Sequence, residues 1–345
     1  MLQKFKHHIT TNFPLLKDAK LLITVSGGID SVILTHLLHQ LNYDISIAHC
    51  NFCLRGKEAN NDQQFVKNIA LKLHVPFFTT SFNTQNFATA HKLSIQEAAR
   101  NLRYKWFYEL IKEQQLDFII TAHNLNDSLE TFLINLSRGT GLKGLVGIPS
   151  INKKTIRPLL PFSRKEITEF ALKNAVSWQE DSSNVNTKYS RNKIRHQIIP
   201  VLEEINPNVL QSFQQTLENL QGSASIIANS VTKVLETSTK KNTISLKFEI
   251  KKIKKLKNLK TYIYEIFSEY NFTNFEDIKS LLTAQSGKQL FSKTHRLIKD
   301  REYLLLSKLS TNNEEKETII TIFENDTEFK IANVTFKIQV EKQYV

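Results

Sequence analysis

Apolar residues recur along the first half of the chain in two alternating periods. Lys20 to Val25 (KLLITV) is a short β-branched run that reads as a strand. After a small-residue turn at Ser26 to Asp30, the residues Val32, Leu34, Leu37, Leu38 and Leu41 follow at helical spacing. Further strand candidates are Asp44 to His49, Val75 to Thr80 and Asp117 to Ala122, separated by helical stretches from about Asn60 to Leu73 and from Ile95 to Gln114. Strands alternating with helices predict a parallel α/β sheet, whose ligands bind beyond the carboxyl ends of its strands. The alternation stops after Pro200. Val209 to Val234 has a wholly helical pattern, while Lys288 to Lys308 and Thr318 to Val340 read as short strands between charged or Asn-containing turns. The expected organisation is an α/β domain over 1–205, a helical linker or central domain over 206–240, and a small α+β domain over 241–345. No internal repeat is visible.

Composition narrows the class without naming it. A chain of 345 residues with 41% hydrophobic and 10% aromatic side chains can bury two or three cores, and Gly 9 with Pro 7 excludes collagen-like sequence. No apolar run approaches the roughly 20 residues of a membrane span. The segment Met1 to Lys20 has no apolar signal-peptide core, so the expected location is the cytoplasm. The formal net charge of +13 favours a polyanionic partner, and its two cations are distributed differently. Of 10 arginines, 8 precede residue 200, where a guanidinium fork would serve phosphate geometry, whereas residues 240–260 hold 9 lysines and one acid, Glu249. That lysine run is either a solvated face or an RNA-contacting one.

The turn after the first strand carries the most specific chemistry. Ser26-Gly27-Gly28-Ile29-Asp30-Ser31 lies between a strand and a helix, where backbone N–H groups and the helix N-terminus form an anion site. Gly27 and Gly28 allow close approach of phosphate oxygens, Ser26 and Ser31 add hydroxyl donors, and Asp30 can hold a metal such as Mg²⁺ that neutralises the phosphates. No Gly-Lys-Ser/Thr follows, so this is not a Walker A loop. A second glycine cluster, Gly139-Thr-Gly141-Leu-Lys-Gly144, matches the dinucleotide fingerprint in letters. It follows the helical stretch Asn124 to Leu136 rather than a strand, and we read it as a turn-rich loop beside the site.

The hexapeptide resembles the loop of the PP-loop ATP pyrophosphatases, which cleave ATP between the α and β phosphates and transfer AMP to a substrate oxygen. The resemblance implies an adenine nucleotide alpha hydrolase-like fold for 1–205, with ATP and Mg²⁺ bound. Several further segments resemble the tRNA(Ile)-lysidine synthase family. They are Ala48-His-Cys-Asn-Phe-Cys-Leu-Arg-Gly56, Glu97-Ala-Ala-Arg-Asn-Leu-Arg-Tyr104, Thr121-Ala-His-Asn-Leu-Asn-Asp-Ser-Leu-Glu-Thr131, Arg138 to Ile148, Arg157-Pro-Leu-Leu160, Trp178 to Asn184 and Tyr189 to Arg195. Ser286-Gly-Lys288 and the strands after it look like that family's C-terminal domain.

This resemblance implies an ATP-dependent carbon–nitrogen ligase. It would adenylate the C2 carbonyl of the wobble cytidine (position 34) in isoleucine tRNA with a CAU anticodon, and the ε-amine of free L-lysine would then displace AMP. The resulting lysidine pairs with A, which changes codon reading from AUG to AUA. Catalytic roles are implied for Asp30, Arg103, Asp127, Glu130 and Arg195, and substrate contacts for His49, Arg55, Arg100, His123, Arg191 and Asn192. The residues themselves are compatible with this. Asp127 and Glu130 lie three apart on a predicted helix, and such a carboxylate pair suits a lysine ammonium or Mg²⁺, although alone it would read as a solvated face. Arg100 and Arg103 share one helix face, while Arg191 and Arg195, with Asn192 between them, form a basic patch suited to phosphate or cytidine. Trp178 and Tyr189 are either base-stacking or core residues.

Four positions depart from the commoner family pattern. Phe52 stands where a His is frequent, Asn124 and Asn126 replace a His and an Asp, and Ser128 replaces a Gln. Cys50 and Cys53, beside His49, invite a metal reading, but two cysteines cannot supply four thiolates to an iron–sulfur cluster. We read them as a buried pair of small side chains, with a zinc site recruiting His49 as the alternative. The competing functions are a PP-loop tRNA thiolase and a non-catalytic RNA-binding protein with a degenerate nucleotide site.

Overall fold

The structure is a computed structural model and describes residues 1–180, 190–241, 245–309, 328–331 and 334–337. Two compact units form, Met1–Ile227 and Ala228–Val345. The first runs α1 (Leu2–Asn12), β1 (Lys20–Thr24), α2 (Ile29–Gln40), β2 (Asp44–Asn51), α3 (Lys57–Leu73), β3 (Phe77–Ser81), α4 (Thr84–His91), α5 (Ile95–Glu113) and β4 (Phe118–Ile120). It continues through α6 (Leu125–Ser137), α7 (Leu142–Leu145), β5 (Ile151–Asn152), β6 (Thr155–Ile156), α8 (Arg164–Lys173), α9 (Ser190–Lys193), a π-helical turn (Ile194–Ile198) and α10 (Ile199–Ile205). Helix α11 (Val209–Ser238) leads into the second unit, which holds β7 (Thr239–Lys241), β8 (Ser245–Glu249), α12 (Ile250–Lys254), α13 (Leu259–Phe267) and α14 (Phe275–Leu281). It ends with β9 (Gln289–Phe291), β10 (His295–Asp300), β11 (Tyr303–Lys308), β12 (Glu328–Ile331) and β13 (Val334–Lys337).

The four strands expected in the first domain are present and parallel. The sheet order is β3-β2-β1-β4-β6-β5, and only β5 runs antiparallel to its neighbour. Leu21, Leu22 and Ile23 of β1 are all fully buried because helices cover both faces of the sheet, which is why that strand reads as an unbroken apolar run. Helix α2 is buried around most of its circumference through Val32, Ile33, Leu34, Leu37 and Leu38. Helix α1 adds Phe5 and Ile9 to the same core, where Phe5 meets Phe162 at 5.8 Å between ring centroids. Successive strands add to one side of β1 as far as β3 and to the other side from β4 onward. The loops after β1, β2, β4 and β6 therefore collect at the point where the strand order reverses.

The two compact units divide between Ile227 and Ala228, inside the segment 206–240 that the sequence marks as a helical linker or central domain. That segment is mostly one helix, α11, whose Leu210, Phe213 and Leu217 belong to a first-unit cluster and whose Val231, Val234 and Leu235 pack on the second-unit core. The apolar stripe of this one amphipathic helix thus contributes to both cores.

In the second unit, an antiparallel sheet ordered β7-β8-β11-β10-β9 packs with α12 to α14 around Phe248, Phe267, Leu297 and Leu304. The strands expected within Lys288 to Lys308 are β9, β10 and β11. Of the expected Thr318 to Val340 strands, the antiparallel pair β12–β13 is described and the remainder lies outside the described residues. The lysine run does not lie on one uniform face: Phe248, Ile250 and Ile253 from the same stretch are buried, and Lys251, Lys252 and Lys260 pair with Glu302, Glu249 and Glu276.

Leu34 is fully buried at the centre of the first core. Leu34→Ala should lower unfolding free energy by about 2–5 kcal/mol, since a buried truncation loses transfer energy and leaves a cavity. Chemical denaturation monitored on the first unit would show this.

Candidate active site

The phosphate loop is held by its own hydroxyls. Ser31 Oγ donates to the Gly28 carbonyl at 2.9 Å and accepts from the Ser26 backbone N–H at 3.2 Å, while Gly28 N–H donates to Ser26 Oγ at 3.3 Å. Gly27 has φ +100°, a conformation that L side chains rarely adopt, and its carbonyl accepts the Gln179 N–H at 3.0 Å. Gly28 is different: its φ is −70° and an added Cβ would meet nothing closer than 3.5 Å, so backbone sterics do not require glycine there. It caps α2, whose first N–H groups have no helical partner and face the loop.

Asp30, in the first turn of α2, has two oxygens in different circumstances. One is ion-paired with Arg164 at the start of α8, and the other, Oδ1, is buried with no well-aligned hydrogen-bond partner among the described residues, the Asn124 side chain being its polar neighbour. Burial raises its carboxyl pKa, and the neighbouring Asp127 acts in the same direction while Arg164 opposes it. A buried, unpaired carboxylate oxygen beside a phosphate loop fits Mg²⁺, which is commonly held by one or two carboxylates and completed by phosphates and water. Arg164 was missed in the sequence because it lies outside every quoted motif. Its one visible signal was membership of the arginine-rich first 200 residues.

Helix α6 begins with a reciprocal cap: Asp127 N–H donates to Asn124 Oδ1 at 3.1 Å, and Asn124 N–H donates to Asp127 Oδ2 at 3.0 Å. Asn124 is thus a helix cap. Asn126 also has a definite partner, since its Oδ1 accepts the backbone N–H of Arg164 at 2.9 Å and so ties α6 to the start of α8. Ser128 is 1% exposed and packs inside.

Glu130 occupies a position the sequence did not suggest. Expected on a shared face with Asp127 and open to ligand, it is 0% exposed. Its Oε1 accepts from Arg195 Nε at 2.6 Å and its Oε2 lies 3.2 Å from Arg191 Nε. Burial raises its pKa, opposed by the bond from Arg195. Arg191 also donates to Thr131 Oγ1 at 2.8 Å, and Arg195 NH2 reaches to 3.5 Å from Asp127 Oδ1. Arg195 sits in the π-helical turn, and the widened turn precedes Pro200, which has no N–H to offer the His196 carbonyl. Leu125, Leu129, Ile194, Ile199 and Phe213 support this cluster from below.

A cavity of about 540 Å³ opens beside the loop. Ser26 and Gly28 form one wall, His49, Arg55 and Asp62 another, and Arg100, Arg103, Arg191 and Asn192 close it. His49 Nδ1 lies 2.9 Å from the Val25 carbonyl; a carbonyl only accepts, so Nδ1 carries the proton and Nε2 remains an acceptor. Arg103 lies over the Phe52 ring at 5.1 Å and Arg100 over Tyr104 at 5.0 Å. Arg55 bonds Asp62 at 3.0 Å. The structure thus brings Ser26, Gly28, His49, Arg55, Arg100, Arg103, Arg191 and Asn192 to one cavity. Asp30, Asp127, Glu130 and Arg195 form the adjoining ionic cluster. His123 lies after β4, near Asp127, Arg157, Arg191 and Arg100, with Nδ1 at 3.0 Å from Thr121 Oγ1.

The cysteine expectation needs correction. Cys53 is exposed at φ +54°, in a turn where its N–H donates to Asn51 Oδ1 at 3.0 Å, and only Cys50 is half-buried, its thiol pushed up to about 12 by burial. Among the described residues, no three His, Cys, Asp or Glu side chains converge as a metal-ligand set. Trp178 packs against the first core, whereas Tyr189 lies outside the described residues. The Gly139 to Gly144 loop leads from α6 into α7, so it is no dinucleotide loop.

A parallel sheet with this glycine loop at its switch point defines a PP-loop nucleotide-binding protein, and the PP-loop domain family matches residues 1–202. The TilS substrate binding domain matches residues 240–309. The tRNA(Ile)-lysidine synthase of Bacteroides thetaiotaomicron is 37% identical over 90% of this chain and 73% of its own length. That of Porphyromonas gingivalis is 37% identical over 87% and 66%, and that of Thermosipho africanus 42% identical over 64% and 52%. The chain belongs to the tRNA(Ile)-lysidine synthase family. It spans between about half and three quarters of the length of these relatives. The U34-tRNA thiolase NcsA from Methanococcus maripaludis shares the fold, with a TM-score of 0.53 at 18% identity over 64% of this chain and 79% of that one. Among the described residues, no helix is long and apolar enough to cross a membrane.

Burial pushes the His123 pKa down to about 4, so the folded protein keeps this ring neutral while the unfolded chain takes up a proton near 6.5. Stability should therefore fall as pH drops from about 6.5 towards 4. Burial lowers His8, His36 and His49 in the same sense. His123→Gln should shrink, without abolishing, the loss of urea midpoint between pH 7 and pH 5.

Proposed function

We propose that this chain ligates L-lysine to C2 of the wobble cytidine in a CAU-anticodon isoleucine tRNA, using ATP and releasing AMP and pyrophosphate in the cytoplasm. The observation that carries the reading is the placement of the phosphate loop and the arginine cluster on one cavity wide enough for a nucleotide. In the first step the cytidine O2 attacks the α phosphorus and pyrophosphate leaves. In the second, the lysine ammonium gives up a proton to solvent, the free ε-amine attacks C2, and AMP leaves with the oxygen.

The residues divide these tasks by position. Backbone N–H groups and hydroxyls from Ser26 to Ser31 face the triphosphate, and Arg191 and Arg195 offer charge to the phosphate oxygens. Asp30 Oδ1 would hold Mg²⁺, which when bound neutralises phosphate charge. Asp127 is the carboxylate that pairs with the lysine ammonium, because its side chain retains some exposure, and Glu130 is a positioning residue for the two arginines. Arg100, Arg103 and His49 line the space for the base. The tRNA thiolase reading has only a distant fold likeness in its favour, and the chain has two cysteines, one of them exposed.

ATP labelled at the α phosphate, with tRNA and Mg²⁺, tests the reading. AMP release should require both isoleucine tRNA and lysine, and Asp30→Ala should slow it at least about 100-fold. Lysine-independent turnover would remove the ligase assignment. The match of residues 240–309 to a substrate-binding domain and the exposed Lys254, Lys255 and Lys257 suggest a grip on the tRNA body. Replacing these three by Gln should weaken tRNA binding and reduce the salt dependence of log K by about 2 to 3, with the rate at saturating tRNA unchanged.

A further inference from the structure

A second cavity of about 520 Å³ lies on the other side of Arg100, between α5 and the β5–β6 hairpin at the sheet edge. Arg100, Tyr104 and Tyr108 are spaced by four and share one face of α5, and Thr155 and Arg157, two apart along the strand, share the facing side. Lys105 and Lys153 stand at the rim, and both are exposed. The lining thus contains four cations, two tyrosines and Phe87; no carboxylate lines it, and Glu109 stands 4.0 Å from Lys105 Nζ at the rim.

Two further atoms point to a ligand. Thr155 is 1% exposed and Arg157 is 4% exposed, yet neither Thr155 Oγ1 nor Arg157 Nε has a hydrogen-bond partner among the described residues. Arg157 is anchored at its far end, where NH1 donates to the Pro149 carbonyl at 2.8 Å, so the guanidinium is fixed and Nε is left over. A buried hydroxyl and a buried N–H that pair with nothing are sites for an incoming polar atom. Stacking rings beside fixed cations match a nucleotide in a single strand, whose phosphate and base need these two surfaces together.

We propose that this groove binds a nucleotide flanking the one that enters the catalytic cavity, in a single-stranded loop of the RNA substrate. Its phosphate meets Lys105, Lys153 and Arg157, and its base lies against Tyr108 and Tyr104. Arg100 lines both cavities, so one strand passes over it from groove to active site. The inference rests on the reading of the chain as an RNA-modifying enzyme, although it does not depend on which amine is transferred.

The test is binding of a fluorescent RNA hairpin carrying a CAU anticodon loop to the full chain, alongside an independent measurement of ATP affinity. Tyr108→Leu keeps the apolar bulk and removes the ring, and it should weaken hairpin binding about tenfold. Tyr108→Phe should stay within about twofold, because the ring is retained. The pair Lys105→Gln and Lys153→Gln should reduce the salt slope by about 1.4, as loss of two single-strand phosphate contacts requires. ATP affinity should be unchanged throughout. Wild-type hairpin affinity in Tyr108→Leu and in the double lysine variant would overturn the groove assignment and leave the ligase reading intact. Competition by CMP or inorganic phosphate that equals the unlabelled hairpin would overturn it in favour of a small-anion site. Failure of AMP release to depend on lysine, with the Tyr108 effect preserved, would strike the ligase reading alone.

Discussion

The carboxylate of Glu130 has no exposed surface, and two guanidinium groups converge on it. A buried charge is tolerated only when it is paired, and here Arg195 hydrogen-bonds Glu130 while Arg191, more exposed, lies within ion-pair distance of its other oxygen. This ionic contact explains the neighbouring geometry. It fixes the π-helical turn against α6, brings Arg195 within reach of Asp127, and sets Arg191 on the wall of the nucleotide-sized cavity. The cluster of Leu125, Leu129, Ile194 and Ile199 beneath it supplies the rigidity, and α6 is in turn tied to α8 by Asn126. On the proposed reading, an arginine positioned in this way would need little reorganisation when phosphate charge develops beside it.

Much of the first unit was legible because its chemistry leaves marks at short range. The β1 to α2 unit announces itself through an apolar run, a glycine turn and a helical period, and the structure reproduces it to within a residue or two at the strand. The parallel sheet followed from alternation alone. What was not legible depended on distance. Glu130 looks like a solvated carboxylate in sequence, since nothing local reveals that residues 60 positions later will cover it. Asn126 looks like a lost acid until the N-terminus of α8 is seen beside it, and Arg164 belongs to no motif. The division of α11 between two cores is likewise invisible in a helix whose apolar stripe is continuous.

The two glycines of the loop also separate once geometry is available. Gly27 is demanded by its backbone conformation, whereas Gly28 has room for a side chain in the protein by itself. The first glycine is therefore a requirement of the loop itself, whereas the second, on the proposed reading, would answer to the phosphate that approaches it. A pattern of two adjacent identical residues carries two unrelated constraints.

Asp30 presents one oxygen to solvent-excluded space while the other stays with Arg164. Such a carboxylate is a single-atom donor and cannot chelate. Since Mg²⁺ demands octahedral coordination, one oxygen would meet only a small part of its needs. On the proposed reading the remainder would come from phosphate oxygens, water and neighbouring groups such as Asp127, so the ion would enter with the nucleotide rather than as a free cation.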